Sequence, residues 1–347
     1  MAKPDLRSLE YEELENLILQ LGFPKFRTLQ IFKWLHLGVE SFDDMTNLSK
    51  ADRTKLSEVS YISNVRVEQK FVSKIDGTVK FLFRLDDDNL IETVVMKYHH
   101  GYSICVSCQV GCRMGCVFCQ STKSGLIRHL LPGEILGQIL VAQKELDIRI
   151  SNIVMMGIGE PLDNFENVIK FLKLVNHLDG INIGYRHISL STCGIVDKIS
   201  KLAEYNLPIT LSISLHSAFD EKRTNMMPIN KKYDIGSLID ACRKYQSVTG
   251  RRISFEYSLI SGVNDSDADA RKLVKLLSGL LYHINLIPVN KIENGVYFPP
   301  NMKDVDHFLK LLNGMGANAT VRRTLGSDIS ASCGQLRSKY VKAGDNR

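Results

Sequence analysis

The chain has 347 residues, 44% of them hydrophobic and 24% charged, an ordinary globular composition that suffices for one large domain plus a smaller one and leaves no low-complexity linker. No apolar run approaches the roughly 20 residues that span a bilayer, and the opening "MAKPDLRSLEYEELE" lacks the apolar segment of a secretion signal, so a cytoplasmic protein with no membrane association is expected. The net charge of +6 is unevenly placed: residues 1–64 carry 8 Lys and Arg against 10 Asp and Glu, whereas residues 316–347 carry 6 against 2. That basic C-terminal stretch suits a phosphate backbone or plain solvation equally well.

Residues 8–60 read as short helices. Ser8 can cap a helix carrying Leu14, Leu17, Ile18 and Leu21, which Gly22 ends. Pro24 opens a second helix, with Leu29, Phe32 and Leu35, that Gly38 closes, and Ser49 starts a third. The period then changes: "VRVEQKFVSKI", the turn Asp76-Gly77, "TVKFLFRL", the turn "DDDN" and "LIETVVM" predict a three-stranded meander over 65–97. From about residue 103 strands and helices alternate. Strand candidates are "SICVSC", "NIVMMG", "HISLST", "ITLSISLH", "RISFEYSLI" and "HINLIPVN", with helical stretches between them and "VDHFLKLLNGMG" after the last. Six βα units imply a parallel α/β sheet, too few for an eight-stranded barrel and so either open or a partial barrel. The expected organisation is a helical module over 1–64, a β-meander extension over 65–97, an α/β core over 98–331 and a C-terminal segment over 332–347.

In parallel α/β folds ligands bind at the carboxyl ends of the strands. Those ends carry a cysteine-rich loop after strand one, "GIGEPLDN" with Gly159 and Glu160 after strand two, Ser191 in "STCG", Ser214 to His216 in "SLH", and Asn290 after strand six. Every strand end but the fifth thus carries polar or metal-binding residues.

The loop "CVSCQVGCRMGCVFCQ" places five of the eight cysteines within residues 105–119, three of them spaced C-x-x-x-C-x-x-C at Cys112, Cys116 and Cys119. Structural zinc needs four soft ligands, usually as two C-x-x-C pairs or with histidine, and no second pair exists. Three thiolates on one loop leave the fourth corner of an iron–sulfur cubane open, and an unliganded iron can bind a substrate molecule. Cluster and zinc both stay open on spacing alone, with the cluster favoured.

The loop resembles the signature of the radical S-adenosylmethionine (SAM) superfamily, with Phe118 as the aromatic before the last cysteine. Within it, "CVSCQVGC", "FCQSTKSGL", "GIGEPLDN", "ISLSTCG", "SISLHS", "MMPINKKY", "VNDS", "INLIPVN" and "DISASCGQL" resemble, in order and spacing, the RlmN family of adenine-C2 RNA methyltransferases, whose sister is the antibiotic-resistance enzyme Cfr. The resemblance spans nearly the whole chain. It implies a partial (β/α)6 radical SAM barrel with a small N-terminal helical, RNA-engaging domain plus the β-meander. It implies that Cys112, Cys116 and Cys119 hold a 4Fe-4S cluster and that Gly159, Glu160, Ser191, Ser214, Leu215, His216 and Asn290 contact SAM. It makes Cys105 and Cys333 the working thiols and Glu92, thirteen residues before Cys105, the proton acceptor. The implied substrates are adenine 2503 of 23S rRNA and adenine 37 of tRNA. Two SAM molecules are used, one methylating Cys333 and one supplying a radical, and a disulfide between Cys105 and Cys333 closes the cycle. A monomer reduced by flavodoxin or ferredoxin is the implied working form.

Cys108 departs from the family, which usually has serine there. Methylation at adenine C8 and a non-catalytic, zinc-stabilised RNA-binding protein are the competing readings. Read without the resemblance, Cys333 is an idle loop thiol and Glu92 a solvated carboxylate on an edge strand, on the face of Val94 and Met96. His216 is a satisfied strand-end histidine, Cys193 and Cys242 are buried structural residues, and Met155 and Met156 are strand core. Lys123, Arg128, His129, Arg322, Arg323, Arg337 and Lys339 are candidates for phosphate contacts at the site entrance or for a solvated face.

Overall fold

Three short helices open the chain: α1 (Tyr11–Gln20), α2 (Phe26–His36) and α3 (Lys50–Val59). The computed structural model describes residues 3–290 and 296–335, so Arg337 and Lys339 lie outside the described residues. Leu14 and Ile18 of α1, Phe32 and Leu35 of α2 and Leu56 of α3 are buried, the stripes that three- and four-residue spacing dictates. Gly22 and Gly38 end α1 and α2 at φ of 75° and 81°, a left-handed conformation that costs glycine nothing.

The meander β1 (Val65–Val72), β2 (Val79–Leu85) and β3 (Leu90–Tyr98) runs into β4 (Gly101–Cys105). A short hairpin, β5 (Gln109–Gly111) with β6 (Leu126–His129), brackets the cysteine loop. Then come α4 (Pro132–Leu146), β7 (Ile150–Met155), α5 (Phe165–Asn176), β8 (Ile188–Thr192), α6 (Val196–Glu204), β9 (Thr210–Ser214), α7 (Asp220–Met226) and α8 (Ile235–Thr249). The series ends with β10 (Ile253–Leu259), α9 (Asp267–Leu277), β11 (Tyr282–Pro288), α10 (Met302–Gly314) and β12 (Ala319–Val321).

Ten strands form one sheet in the order β1-β2-β3-β4-β7-β8-β9-β10-β11-β12. From β4 to β12 every pairing is parallel, and from β1 to β4 every pairing is antiparallel. The six predicted strands are all present, and β12 adds a seventh parallel strand of three residues, too short to be seen by pattern. The sheet keeps two edges, so the α/β part is the expected partial barrel.

Two sequence-based expectations change. The meander extends the barrel sheet, and β3 lies between β2 and β4; Glu92 is therefore on an internal strand and 1% exposed, not solvated on an edge. Ser8 does not cap α1. Glu10 does, its backbone N–H donating to Glu13 at 3.0 Å, while the Ser8 hydroxyl accepts from the Gly133 N–H at 2.8 Å, in the first turn of α4. The helical module is tied to the barrel at further points. Lys170 and Lys173 of α5 meet Glu13 and Glu10 at 2.5 and 3.0 Å, while within the module the buried Arg7 guanidinium donates to the carbonyls of Val39 and Ser63. One apolar core runs from Leu14 and Phe32 through Phe83 and Leu136 to Phe308.

Candidate active site

The barrel strands present polar side chains inward where the helix-covered face is apolar. On β10, Phe255, Tyr257 and Leu259 enter the main core while Glu256 and Ser258 point into a cavity at the strand ends. The cavity encloses roughly 1000 Å³, part of it open to solvent, room for a cluster and a nucleoside-sized molecule together. Its lining brings together Cys112, Cys116 and Cys119, then Gly159, Glu160, Ser191, Ser214, His216 and Asn290, and finally Cys333. Cys333 arrives from the far end of the chain because its loop is pinned across the cysteine loop: Gln120 N–H donates to the Gly334 carbonyl at 2.8 Å, and Asn290 Nδ2 to the Cys333 carbonyl at 3.3 Å.

A second, smaller cavity adjoins the first through Asn290, Arg322 and Cys333, and it contains Cys105 together with Val94, Met96 and Tyr98. All eight cysteines are free thiols. Burial pushes Cys105 up to about 12, and the nearby Cys333 adds to the shift while Arg322 opposes it. The Arg322 guanidinium is in turn held charged chiefly by Cys333. It is a positive group between the two thiols rather than a surface phosphate contact.

The donor set fits an iron–sulfur cluster. Burial raises the thiols of Cys112, Cys116 and Cys119, and each is raised further by a neighbouring cysteine; thiolates there need a cation to compensate them, and binding one releases protons. Among the described residues no three His, Cys, Asp or Glu side chains converge on one metal ion, whereas a cubane takes each thiolate on a different iron. Thr122 Oγ1 donates to the Cys116 and Cys119 carbonyls at 3.3 and 3.0 Å, which holds the loop closed.

The expected SAM-contact residues divide by what they already do. Glu160 is buried and raised by burial; its carboxylate accepts from Leu162 N–H at 3.0 Å and Cys193 N–H at 2.8 Å, bracing two strand-end loops. His216 adopts φ 56°, accepts from Ser258 N–H at Nδ1 over 2.9 Å, and is pushed down to about 3 by burial and by Arg223. It is therefore neutral at physiological pH, and it is both a satisfied strand-end histidine and a cavity wall. Leu215 is fully buried in the main core and does not line the cavity; its backbone alone faces the site's frame, N–H donating to Glu256 O and carbonyl accepting from Arg223.

The sequence left other site residues unnoticed. Cys193 and Met156 line the cavity, not merely the strand core. Glu256, held by Ser254 at 3.0 Å and Asn285 at 2.7 Å, and Ser258 make the fifth strand a contributor after all; the alternation in "ISFEYSL" was the available signal. Arg223, fully buried, donates to the carbonyls of Cys193, Ser214 and Leu215 and to Asn230, locking the ends of β8 and β9. Arg128 is committed to Glu134 and Asp87, at 2.8 and 2.5 Å.

Gly159 sits at φ 108°, and a Cβ there would lie 2.6 Å from Gln109 Cβ. Gly159→Ala is expected to cost about 1–3 kcal/mol of stability and to weaken SAM binding at least about tenfold, measured by thermal unfolding and by calorimetric titration.

Residues 106–274 match the family model described as the radical SAM superfamily, and residues 4–62 match the ribosomal RNA large subunit methyltransferase N-terminal domain. The chain is 53% identical over 342 residues, 99% of this chain and 100% of the relative, to the probable dual-specificity RNA methyltransferase RlmN of Alkaliphilus oremlandii. It is 54% identical to the protein of the same name in Clostridium novyi, covering 95% of this chain and 97% of that one. The chain belongs to the RlmN family of radical SAM RNA methyltransferases. A crystal structure of a radical SAM methyltransferase from Sphaerobacter thermophilus superposes with a TM-score of 0.91 at 42% identity, covering 96% of this chain and 99% of that one. RlmN-family membership brings a 4Fe-4S cluster and SAM as cofactors and RNA as the methylated substrate, and it sets aside the zinc-stabilised binding protein. No helix among the described residues is long and apolar enough to cross a membrane.

Proposed function

We propose that this enzyme methylates C2 of adenine, at adenine 2503 of 23S rRNA and adenine 37 of tRNA, acting as a cytoplasmic monomer reduced by a flavodoxin or ferredoxin. What supports this reading most is one juxtaposition: Cys333 lies at the boundary of two cavities, one containing the three loop cysteines and the other Cys105. Cys112, Cys116 and Cys119 hold the cluster, and Gly159, Glu160, Ser191, Ser214, His216 and Asn290, with the Leu215 backbone, hold SAM. Bound there, the cofactors would supply a hydrogen-abstracting radical and an acceptor for the surplus electron.

The remaining chemistry belongs to the chain. C2 of adenine lies between two ring nitrogens and has no lone pair to attack a methyl sulfonium, so the carbon must first be carried by a sulfur nucleophile. Cys333, beside Arg322 and less buried than Cys105, takes the methyl group; Cys105 stays protonated and is spared it. After addition the base is joined to Cys333 through a methylene. Glu92 takes the C2 proton. Cys105 attacks the Cys333 sulfur as its thiol proton is lost, an S–S bond forms, and the C–S pair moves to the methylene carbon, which takes up one proton to become the methyl group.

Arg322→Met removes the charged group that opposes the upward shift at Cys105 and leaves the backbone hydrogen bond of Met156 in place. Release of the RNA is then expected to slow about tenfold for each unit that the thiol rises, with the slope against pH unchanged, read from decay of the covalent RNA adduct. The test of the proposal is digestion of modified rRNA and tRNA with identification of the methylated isomer. 2-Methyladenine is expected; 8-methyladenine would overturn it.

A further inference from the structure

Lys80 is an unusual residue to find where it is. It stands on β2, the middle strand of the meander, and its side chain is 7% exposed. Lysine almost never buries its ammonium unless a partner compensates it. Here there are two. Nζ lies 3.5 Å from Glu92 Oε1, itself on a side chain 1% exposed, and donates to the Ser330 carbonyl at 3.3 Å. Phe71 lies beneath it, 5.1 Å from ring centre to nitrogen.

Register explains why these groups meet. Leu82 pairs with Glu92 and Lys80 with Val94 across β2 and β3, and Val94 pairs with Cys105 across β3 and β4. Residues directly opposite share a face, so Lys80, Glu92, Val94 and Cys105 all project to the same side of the sheet. The opposite side holds Phe81, Phe83 and Val95 in the main core, with Thr93 donating to Gln138 of α4 at 2.7 Å. Ser330 is three residues before Cys333 and has φ 50°. Its loop is clamped to the meander: Asp328 accepts from Ser73 Oγ and Lys74 N–H at 2.7 and 2.9 Å, and Gly326 N–H donates to Asp76 at 2.9 Å. Lys80 is the point where the loop bearing the methylated thiol and the carboxylate that takes the proton share one cation.

We propose that Lys80 is a positioning residue for the release step: it keeps Glu92 a carboxylate inside an apolar wall and anchors the Cys333 loop through the Ser330 carbonyl. The inference rests on the reading of Glu92 as the base. In the step itself the proton at adenine C2 moves to Glu92, which becomes the neutral acid. Lys80 keeps its own protons and loses its ion-pair partner. Lys80 from β2 and Cys105 from β4 share the face of Glu92, Tyr98 of its own strand lines the adjoining smaller cavity with Arg322, Arg323 and Cys333, and Glu134 of α4 is engaged with Arg128. An opposite charge near a buried carboxylate favours the ionised form, and losing it shifts the base towards the neutral acid.

Lys80→Gln keeps a donor for the Ser330 carbonyl and drops the charge; Lys80→Arg keeps the charge. The full-length, cluster-loaded protein is incubated with SAM, reductant and a tRNA substrate, and the decay of the covalent RNA adduct is followed from pH 6 to pH 9 beside the methyl load on Cys333. For Lys80→Gln a release rate about 10- to 100-fold lower at pH 7, recovering as pH rises, is expected, with methyl loading of Cys333 within about threefold of the parent. Lys80→Arg is expected to restore most of the rate and the parent pH profile. A Lys80→Gln protein with the parent profile, or one whose loss is the same at every pH and is not rescued by arginine, overturns the inference. Glu92→Gln run alongside separates the two claims. If it releases RNA at the parent rate, the assignment of Glu92 fails first; if it traps the adduct while Lys80→Gln does not, only the role of Lys80 fails.

Discussion

Cys105→Ala is expected to accumulate RNA covalently bound to the protein through Cys333, with turnover lowered by about 10³- to 10⁴-fold. The geometry makes this the sharpest test of the sulfur chemistry. Cys105 ends β4 and shares the smaller cavity with Cys333, whereas Cys112 lines the larger cavity and Cys108 lies in the main core. Alanine removes the only thiol placed to attack the Cys333 sulfur from the second cavity, yet it leaves methyl loading and carbon–carbon bond formation untouched. Its volume is close to that of the thiol it replaces, so the fold should survive, and thermal unfolding would check that. The readout is a protein band retarded by RNA in a denaturing gel, with the crosslink mapped to Cys333 by mass spectrometry. An adduct mapping elsewhere, or turnover within tenfold of the parent, would remove Cys105 from the mechanism. Because Cys108 is an additional buried thiol, Cys108→Ser should behave as the parent in the same assay.

Cys116→Ala should be just as damaging for a different reason. The three loop thiols are each raised by burial and by a neighbouring cysteine, so only bound iron compensates their thiolates, and without Cys116 one iron of the cubane loses its protein ligand. Iron and sulfide content is expected to fall from about four of each per chain to well below one. Methylation is expected to disappear, while thermal stability measured without cluster changes by less than about 1 kcal/mol because no apolar core is lost. Full iron content in this variant would show that the cluster is held elsewhere. The same variant should still fold around RNA, which a binding assay would record.

Much of this architecture could be read in advance because local patterns and the global fold agree. The two-residue alternation from "VRVEQKF" to "LIETVVM" and the six βα units yielded strands that the structure contains, and the C-x-x-x-C-x-x-C loop fell where a parallel sheet puts its ligands. The misses have physical causes. β12 has three residues, and no periodicity survives in so short a run. Glu92 was misplaced on an edge because pairing partners are a tertiary property, invisible in the strand's own alternation. Glu256 and Ser258 were passed over because the last residue of β10 is leucine, although the inward face of that strand is polar one and three positions earlier. Arg322 and Arg128 looked like surface cations in a basic stretch; one lies between two thiols, and the other is spent on two carboxylates. Cys333 had no local signal at all. Its meaning came from resemblance, and its position comes from a loop tied at Gly334, Ser330 and Asp328.

The hydroxyl of Ser8 that caps α4 has a wider consequence. Together with the Glu10 and Glu13 pairs to α5 and the shared apolar core, it makes the leading helices a fixed gauge bolted to the catalytic vessel, not an arm that swings in to grasp a polymer. A rigid gauge cannot adapt to its cargo. On the proposed reading, the deformation needed to present the target base must therefore be borne by the RNA, and RNAs that already hold that base loosely are expected to react first.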